Sequence, residues 1–232
     1  PADVVGYNRY FGWYKEAGSA ENFGEWLDLY HNEKEKRPVC LSEYGGGGAI
    51  SQHKDNVDWE SDIDPVGVRH YENYQSQLHE ILWKQFSVRK YLWAEFIWCM
   101  FDFASYGRTE GDTKSQNDKG LCTRERIPKD VYFFYRSVWS SEKTVYITER
   151  RHEFRACDVP FVKVYSNADA VELCINDVSH GRISRCELPD DKSTVFVWEN
   201  IKIKPGTKNK ICAKAYFSDG ASRTDYAFWT GK

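Results

Sequence analysis

The sequence has neither a long apolar run nor an excess of basic residues. A membrane-spanning helix needs about 20 consecutive, mostly apolar residues, and no stretch of the 232 residues has that composition. The formal net charge is −3 at pH 7, whereas nucleic-acid-binding domains carry a basic patch or stripe. We therefore expect no membrane span and no nucleic-acid partner.

Cysteine pairs with metal-binding or redox spacing are also missing. The cysteines are odd in number and scattered, and none of them forms a Cys-x-x-Cys pair. They are Cys40, Cys99, Cys122, Cys157, Cys174, Cys186 and Cys212. This distribution argues against a disulfide framework and against a structural zinc site. We expect buried thiols, because a free cysteine behaves as a small hydrophobic residue.

Aromatic residues, in contrast, make up 16% of the sequence and include nine tryptophans and fifteen tyrosines. Aromatic rings stack on the C–H faces of sugars, so the abundance fits carbohydrate binding, but it fits an aromatic-rich core as well. Trp198 and Trp229 could form a sugar-binding platform in the C-terminal part of the chain. Trp198 lies between Val197 and Glu199 in an alternating strand pattern, and this favours core packing.

Residues 1–139 are predicted to form three strand–helix units in succession. Strands are predicted at residues 4–7, 39–41 and 91–98. Helices are predicted at residues 20–33, 67–87 and 128–138. The last strand is apolar almost throughout, which is typical of a parallel sheet covered on both faces.

The composition changes after Ser140 to short, β-rich runs separated by turns. The runs are residues 144–149, 161–165, 170–175, 178–186, 194–203, 208–217 and 222–230. About seven short strands at this spacing predict a small β-sandwich. We therefore predict two domains, at residues 1–140 and 141–232.

The segment 38–48, PVCLSEYGGGG, takes a buried strand to Glu43 and then turns through four glycines. An α/β barrel presents its active residues at the C-terminal ends of its strands, so Glu43 is the leading candidate for a nucleophile. The other predicted strands end near Asn8, Tyr10 and Trp98. A carboxylate among hydrogen-bonding groups and an aromatic platform suits glycoside hydrolysis, whereas a structural ion-pair partner is the alternative for Glu43.

Four stretches, in this order, closely resemble consecutive motifs of glycoside hydrolase family 2, which includes β-galactosidases and β-glucuronidases. They are DVVGYNRYFGWY, PVCLSEYGG, LWAEFIWCMFDFAS and GDTKSQNDKGLCTRERIPKDVYFFY, within residues 3–139. The resemblance implies α/β plus all-β architecture: the C-terminal three strand–helix units of a (β/α)8 barrel, followed by an immunoglobulin-like β-sandwich. It also implies that Glu43 is the nucleophile of a retaining mechanism. The residues that would bind substrate are Asn8, Tyr10, Tyr14, Tyr44, Trp98, Asn117 and Lys119.

The acid/base residue that the resemblance implies is missing. In the family it is the glutamate of an Asn-Glu pair after the fourth barrel strand, and Asn32-Glu33 does not match because it lies at a helix end. A retaining enzyme needs two carboxyl groups about 5–5.5 Å apart, and three strand–helix units cannot close a barrel. We therefore expect a C-terminal piece of a larger enzyme, with the remaining N-terminal part as its partner, and no activity in the isolated chain.

Asn117-Asp118-Lys119 bears on the choice of substrate. The resemblance implies that β-glucuronidases bind the sugar's carboxylate with an Asn-x-Lys element, which this tripeptide matches. The same NDKG sequence occurs in β-galactosidase-like members of the family. The structural alternative is that Lys119 forms a salt bridge within the loop and binds no substrate. Because of the GRTEGDT segment and the trailing sandwich, the sequence favours terminal β-D-galactosides over β-glucuronides. A non-catalytic carbohydrate-binding or structural domain is the alternative from another class.

Metal ligands are weakly indicated. The resemblance implies Mg²⁺ or Na⁺ near the active site of some family members, and Asp102, Asp112 and Asn117 offer oxygen ligands, although solvated loop residues are the commoner explanation. His70 and His79 are nine residues apart on a predicted helix, a spacing that does not suit a shared metal ion. The expected partner is a carbohydrate substrate, a β-galactoside or a β-glucuronide; formation of a homo-oligomer is left open.

Overall fold

The computed structural model describes residues 3–189 and 193–232. Contacts group the chain into two compact units. The first comprises Pro1–Gln52 and Val57–Lys129, and the second comprises His53–Asn56 and Asp130–Lys232. The contacts thus divide the chain between Lys129 and Asp130, near the start of the predicted helix 128–138, whereas the sequence placed the domain boundary after that helix, near residue 140. The boundary at 140 stays a prediction.

In the described part of the first unit, three parallel strands form the sheet. They are β1 (Val5–Asn8), β2 (Val39–Tyr44) and β3 (Leu92–Ile97), with β2 in the middle. The first three residues of β2 are buried, as expected of a parallel strand that is covered on both faces. Parallel strands joined through helices are the arrangement of successive units in an α/β barrel.

Helices α1 (Phe23–Glu33), α2 (Trp59–Asp62) and α3 (Glu72–Phe86) complete this unit. Phe23 and Leu27 on α1 and Leu78 and Leu82 on α3 are buried in one apolar cluster with residues of β2. The apolar periodicity of these helices therefore reflects the face that each turns to the sheet. No helix among the described residues has the length and apolar character required to cross a membrane.

The predicted helix 67–87 begins later than the sequence indicated, at Glu72. Before that point the chain is tied to Gln52: its Oε1 accepts the His70 N–H at 2.9 Å, and its carbonyl accepts the Glu72 N–H at 2.9 Å. These backbone donors are satisfied from outside the segment, so it need not be helical. His70 consequently lies in a loop and His79 on the helix.

The polar loop that follows β3 contains a short hairpin. Strands β4 (Phe103–Ala104) and β5 (Gln116–Asn117) pair antiparallel, with Phe103 opposite Asn117. The pairing carries residues 117–120 back to the C-terminal end of the sheet, where the Cys99 N–H donates to the Lys119 carbonyl at 3.1 Å. This is how the Asn-x-Lys tripeptide reaches the strand ends.

The described part of the second unit contains helix α4 (Asp130–Trp139) and eight strands in two sheets. The strands are β6 (Val145–Ile147), β7 (Phe154–Arg155), β8 (Asp158–Ser166), β9 (Ala170–Ile175), β10 (Val178–Ser184), β11 (Val195–Lys202), β12 (Lys208–Tyr216) and β13 (Ser222–Gly231). One sheet has the order β11-β8-β6 and the other β10-β9-β12-β13-β7. The predicted runs match these strands except β7, which has two residues and shows no alternation.

Inward-facing residues of both sheets form the core of the second unit, among them Val162, Phe196 and Ile211, all fully buried. Trp198 and Trp229 are 6% and 1% exposed within the same cluster. Their indole N–H groups donate to the carbonyls of Gly181 and Glu149, respectively. Core packing is therefore confirmed for both tryptophans, and neither can serve as a sugar platform.

The cysteines are all free thiols. Cys40 and Cys122 are buried, and four others are partly buried. Cys186 is exposed, so the prediction that every thiol is buried is wrong at this position. It lies in the short turn 185–187 at the end of β10, where the chain passes over the surface between strands.

Candidate active site

Glu43 lies near the C-terminal end of β2, where its side chain is half-buried. Its Oε2 accepts a hydrogen bond from the Tyr10 hydroxyl at 2.6 Å. Burial and this bond to Glu43 both raise the pKa of Tyr10. The hydroxyl therefore remains protonated and donates to the carboxylate, and a short bond of this kind to an ionised group is among the stronger hydrogen bonds in proteins.

Asn8 ends β1 and is paired in the sheet with Glu43. Its Oδ1 accepts the Ser42 hydroxyl at 2.7 Å, and the following Arg9 N–H donates to the Glu43 carbonyl at 2.9 Å. The parallel register thus brings the ends of β1 and β2 together, and Asn8 is exposed there.

Tyr14 and Lys119 extend the site from Tyr10. The rings of Tyr10 and Tyr14 meet edge to face with centroids 5.5 Å apart. The Lys119 Nζ donates to the Tyr14 hydroxyl at 3.2 Å and lies 5.7 Å from the centroid of the Tyr10 ring. It also lies 5.5 Å from the ring of Trp13, a cation–π distance. Lys119 is only 3% exposed, so a buried ammonium group is linked to the Glu43 carboxylate through two tyrosines.

The turn 117–120 is held by hydrogen bonds from several elements. Asn117 Oδ1 accepts the Lys119 N–H at 3.0 Å, and Asp102 Oδ1 accepts the Gly120 N–H at 2.8 Å. The fully buried Lys129 donates to Asp102 at 2.8 Å and to the Asp118 carbonyl at 2.8 Å. Burial raises the pKa of Asp102 to about 6, against the lowering effect of Lys129.

These bonds also bear on the proposed metal ligands. Asp102 is committed to Lys129 and Gly120, and Asn117 Oδ1 to Lys119. Asp112 accepts bonds from the hydroxyls of Ser51 and Thr113. The buried Lys129 ammonium already supplies the positive charge beside Asp102, so the three residues do not fit a shared Mg²⁺ or Na⁺ site and the sequence hypothesis is not supported there.

Tyr44 does not line the site. It is fully buried, and its ring packs edge to face against Phe86 at 5.0 Å and lies 5.8 Å from His79. Successive side chains of a strand point to opposite faces, so Tyr44 enters the helix-covered core when Glu43 faces the site. The prediction that Tyr44 binds substrate is therefore wrong.

Trp98 follows the last residue of β3, and its N–H donates to the Tyr44 carbonyl at 2.9 Å. The indole is half-buried and meets Phe103 edge to face, with centroids 5.8 Å apart. It lines an open cavity of about 730 Å³ together with Phe101, Phe103 and Arg126. An aromatic surface at the strand ends is what a sugar platform requires.

Several residues at the site were not singled out by the sequence as part of it: Trp13, His70, Arg108 and Lys129. Trp13 is fully buried against Lys119. Arg108 forms an ion pair with Glu110 and a hydrogen bond with Tyr14. Trp13 stands inside the quoted motif NRYFGWY, so the motif could have indicated it. Lys129 likewise stands inside the quoted motif GDTKSQNDKGLCTRERIPKDVYFFY, whereas His70 and Arg108 come from segments with no distinctive spacing.

Comparison with known families finds two matching models, one for the N-terminal part of the chain and one for the C-terminal part. The family model described as "Glycosyl hydrolases family 2, TIM barrel domain" matches residues 1–144. A domain of unknown function, DUF4982, matches residues 159–223. The first match covers more than half of the chain and contains every site residue described above.

Individual relatives agree with the family match. A β-glucuronidase from Bacteroides fragilis is 35% identical over 204 residues, which are 87% of this chain and 28% of the relative. A β-galactosidase from Bacteroides ovatus is 24% identical over 59% of this chain and 16% of its own length. The crystal structure of an FMN-binding β-glucuronidase from Faecalibacterium prausnitzii has a TM-score of 0.83 at 33% identity, covering 99% of this chain and 32% of that one. The chain thus spans about a third or less of each relative, and it belongs to glycoside hydrolase family 2.

Proposed function

We propose that the chain carries the nucleophile side of the active site of a retaining β-glucuronidase, with Glu43 as the nucleophile and Lys119 as the group that binds the sugar's carboxylate. This reverses the preference for galactosides that the sequence suggested. The observation that carries the proposal is the buried Lys119 ammonium, linked through Tyr14 and Tyr10 to the Glu43 carboxylate.

The charge balance around Lys119 supports a uronic acid over a neutral sugar. Among residues 3–189 and 193–232, no carboxylate forms an ion pair with Lys119, because the carboxylate of the adjacent Asp118 is paired with His70. A buried charge without a counter-charge in direct contact is costly. A carboxylate on C6 of the substrate would supply that counter-charge, whereas the hydroxymethyl group of a galactoside would not.

The arrangement suits attack by Glu43 on the anomeric carbon. Tyr10 engages Oε2, which leaves Oε1 to form the bond to the sugar while the bond from the anomeric carbon to the leaving oxygen breaks. In a retaining enzyme a second carboxyl group, about 5–5.5 Å away, protonates that oxygen and then activates the water that hydrolyses the glycosyl-enzyme. We assign this second group to the longer protein of which the chain is a part.

The relatives support the same choice. The 35%-identical relative from Bacteroides fragilis and the 33%-identical structure are both named β-glucuronidases. Relatives named β-galactosidase also occur at lower identities, one at 24% and a crystal structure of a putative β-galactosidase from Bacteroides fragilis at 29%. Because the chain spans only 28% of the first relative, the activity is proposed for the full-length enzyme.

The test compares aryl β-glucuronide, aryl β-glucoside and aryl β-galactoside as substrates of the full-length enzyme. The glucuronide and the glucoside differ only at C6, so their ratio isolates recognition of the carboxylate. We expect kcat/KM for the glucuronide to exceed that for the glucoside by about 30-fold or more, the equivalent of about 2 kcal/mol for a buried charge pair. A preference for the galactoside would overturn the proposal and restore the galactosidase interpretation.

Tyr10 is expected to contribute through its bond to the nucleophile. Tyr10→Phe removes a 2.6 Å hydrogen bond to Glu43 and leaves the ring that packs on Tyr14. Hydrogen bonds to charged groups are worth about 1.5–3 kcal/mol, so we expect kcat for the aryl β-glucuronide to fall about 10–100-fold. Steady-state kinetics of the full-length enzyme measures the effect.

Tyr91→Phe is the matched control. Its hydroxyl also donates to a carboxylate, that of Asp28, at 2.6 Å, but on a different element. Equal losses of activity in the two variants would mean that Tyr10 acts only through stability, and unchanged kcat in Tyr10→Phe would remove it from the catalytic machinery.

We also infer that the second unit is immunoglobulin-like and that the domains divide as 1–140 and 141–232. Without the short β7, its strands in chain order are β6, β8, β9, β10, β11, β12 and β13. Strands β6, β8 and β11 share one sheet, and strands β9, β12 and β13 share the other. In immunoglobulin domains, strands A, B and E and strands C, F and G are divided in the same way. Strand β10 lies beside β9, in the position of strand C′. The buried tryptophans of the second unit, Trp198 and Trp229, favour a structural role over sugar binding.

A further inference from the structure

His70 is a fully buried residue held between two hydrogen-bond acceptors. Its Nδ1 lies 2.7 Å from Asp118 Oδ2, and its Nε2 lies 3.0 Å from the Asp64 carbonyl. Burial acts to raise the pKa of Asp118, but the bond and charge of His70, with Lys129 and Lys119, hold it below its ordinary value. The Asp118 carboxylate is therefore ionised, and each ring nitrogen of His70 faces an oxygen acceptor.

Two glycines leave just enough room for this ion pair. A Cβ at Gly47 would come within 2.4 Å of Asp118 Oδ1 and 2.9 Å of His70 Nδ1, and one at Gly111 would come within 2.6 Å of Asp118 Oδ2. Gly111 also has a φ of 72°, which disfavours other residues. Gly47, a few residues after the end of β2, is thus required because a larger residue would collide with the His70–Asp118 pair.

The pair is connected to Lys119 in two ways. Asp118 precedes Lys119 directly, and its carbonyl accepts the Gly48 N–H at 3.1 Å. The indole of Trp13 contacts both side chains: its ring centroid is 4.7 Å from that of His70 and 5.5 Å from the Lys119 Nζ. Movement of His70 would therefore displace both the backbone that carries Lys119 and the ring against which its ammonium packs.

We propose that His70, through its ion pair with Asp118, is a positioning residue that sets the location of the Lys119 ammonium and thereby the recognition of the sugar's carboxylate. The proposal rests on the proposed function, since it concerns the lysine assigned to a uronic acid. His70 reaches the substrate only through Lys119, so its loss should weaken binding of the charged sugar and leave the reacting carbon and Glu43 undisturbed.

The experiment measures kcat and KM for aryl β-glucuronide and aryl β-glucoside in the full-length enzyme. The variants are His70→Phe, Asp118→Ala and Asp118→Asn, with His31→Phe as a matched control, because His31 stacks on Tyr91 away from the site. Asp118→Asn is the conservative change: its amide can donate to Nδ1 of a neutral imidazole whose Nε2–H still donates to Asp64. Thermal unfolding of each variant is recorded.

We expect His70→Phe and Asp118→Ala to raise KM for the glucuronide about 10-fold or more, the scale of a lost hydrogen bond between charged groups. The kcat for the glucuronide and the kcat/KM for the glucoside should change much less, so the ratio between the two substrates falls. Asp118→Asn should recover most of the KM, and His31→Phe should behave as the unmutated enzyme.

Three results would overturn the inference. The first is an unchanged KM for the glucuronide in folded His70→Phe. The second is an equal loss of kcat/KM for the glucuronide and the glucoside. The third is unfolding of His70→Phe, Asp118→Ala and Asp118→Asn alike, since that would assign the pair a purely structural role. If the unmutated enzyme prefers the galactoside, the proposed function fails at that earlier step. If it prefers the glucuronide and depends on Lys119 but not on His70, only the positioning role fails.

Discussion

Glu43→Gln is expected to lower kcat of the full-length enzyme for an aryl β-glucuronide by about 10⁴-fold or more, the scale of losing a covalent nucleophile. A carboxamide has the shape of the carboxylate but does not attack the anomeric carbon. It can still accept the Tyr10 hydrogen bond, so the fold and the substrate site should persist. Steady-state kinetics and thermal unfolding of the variant measure the two effects separately.

Glu95→Gln is the matched control for this experiment. Glu95 lies within β3 and is half-buried, and burial raises its pKa. We expect the substitution there to leave kcat within about 10-fold of the unmutated enzyme, because it removes no covalent step.

The identity of the nucleophile can also be read directly. A 2-deoxy-2-fluoro glucuronide with a reactive leaving group should form a stable ester with the nucleophile, and peptide mass spectrometry should find the label on Glu43. In Glu43→Ala, azide should take the place of the missing carboxylate and yield an α-glucuronosyl azide. A label on another carboxylate, with Glu43 unmodified, would contradict the assignment.

Lys119→Ala is expected to remove the preference for the charged sugar. Loss of one partner of a buried charge pair costs about 2–5 kcal/mol, so kcat/KM for the aryl β-glucuronide should fall by about 30- to several thousand-fold. Hydrolysis of the aryl β-glucoside, which has no carboxylate, should change little. The measurement is the ratio of the two kcat/KM values before and after the substitution.

Lys114→Ala is the control for Lys119→Ala. It removes a lysine from the same loop, but this lysine is exposed, so the substrate ratio should stay as it is in the unmutated enzyme. If Lys119→Ala affects charged and neutral sugars alike, Lys119 supports the site without recognising the carboxylate. If the unmutated enzyme favours the galactoside and Lys119→Ala does not alter it, the galactosidase interpretation stands.

Local patterns were enough to predict the framework of the site. The run Val39–Leu41 ahead of Glu43 predicted a buried strand ending in a carboxylate, and the structure has β2 at Val39–Tyr44. The alternation in the C-terminal part predicted its longer strands, because a half-buried strand leaves a two-residue period in the sequence. The family resemblance indicated Tyr10, Tyr14 and Lys119, and the structure links all three to Glu43.

The alternation of side chains along β2 could not by itself predict which face of the strand packs against the helices and which face lies at the candidate site. The sequence placed Glu43 and Tyr44 together in the site, and the tertiary structure separates them because only one face of the strand is packed against α3. The start of α3 was likewise misjudged, since the bonds from Gln52 that keep His70 out of the helix join residues far apart in the chain.

The sequence by itself determined the order of the strands, the strand end that carries Glu43 and the tripeptide that carries Lys119, because each depends on residues close together in the chain. Only the tertiary structure decided the charges that surround them. His70 and Asp118 are separated by 48 positions, yet they form one ion pair at 2.7 Å, and none of the carboxylates in residues 3–189 and 193–232 forms an ion pair with Lys119. Coulomb and hydrogen-bond energies depend on distance in space, and folding, not sequence order, sets that distance.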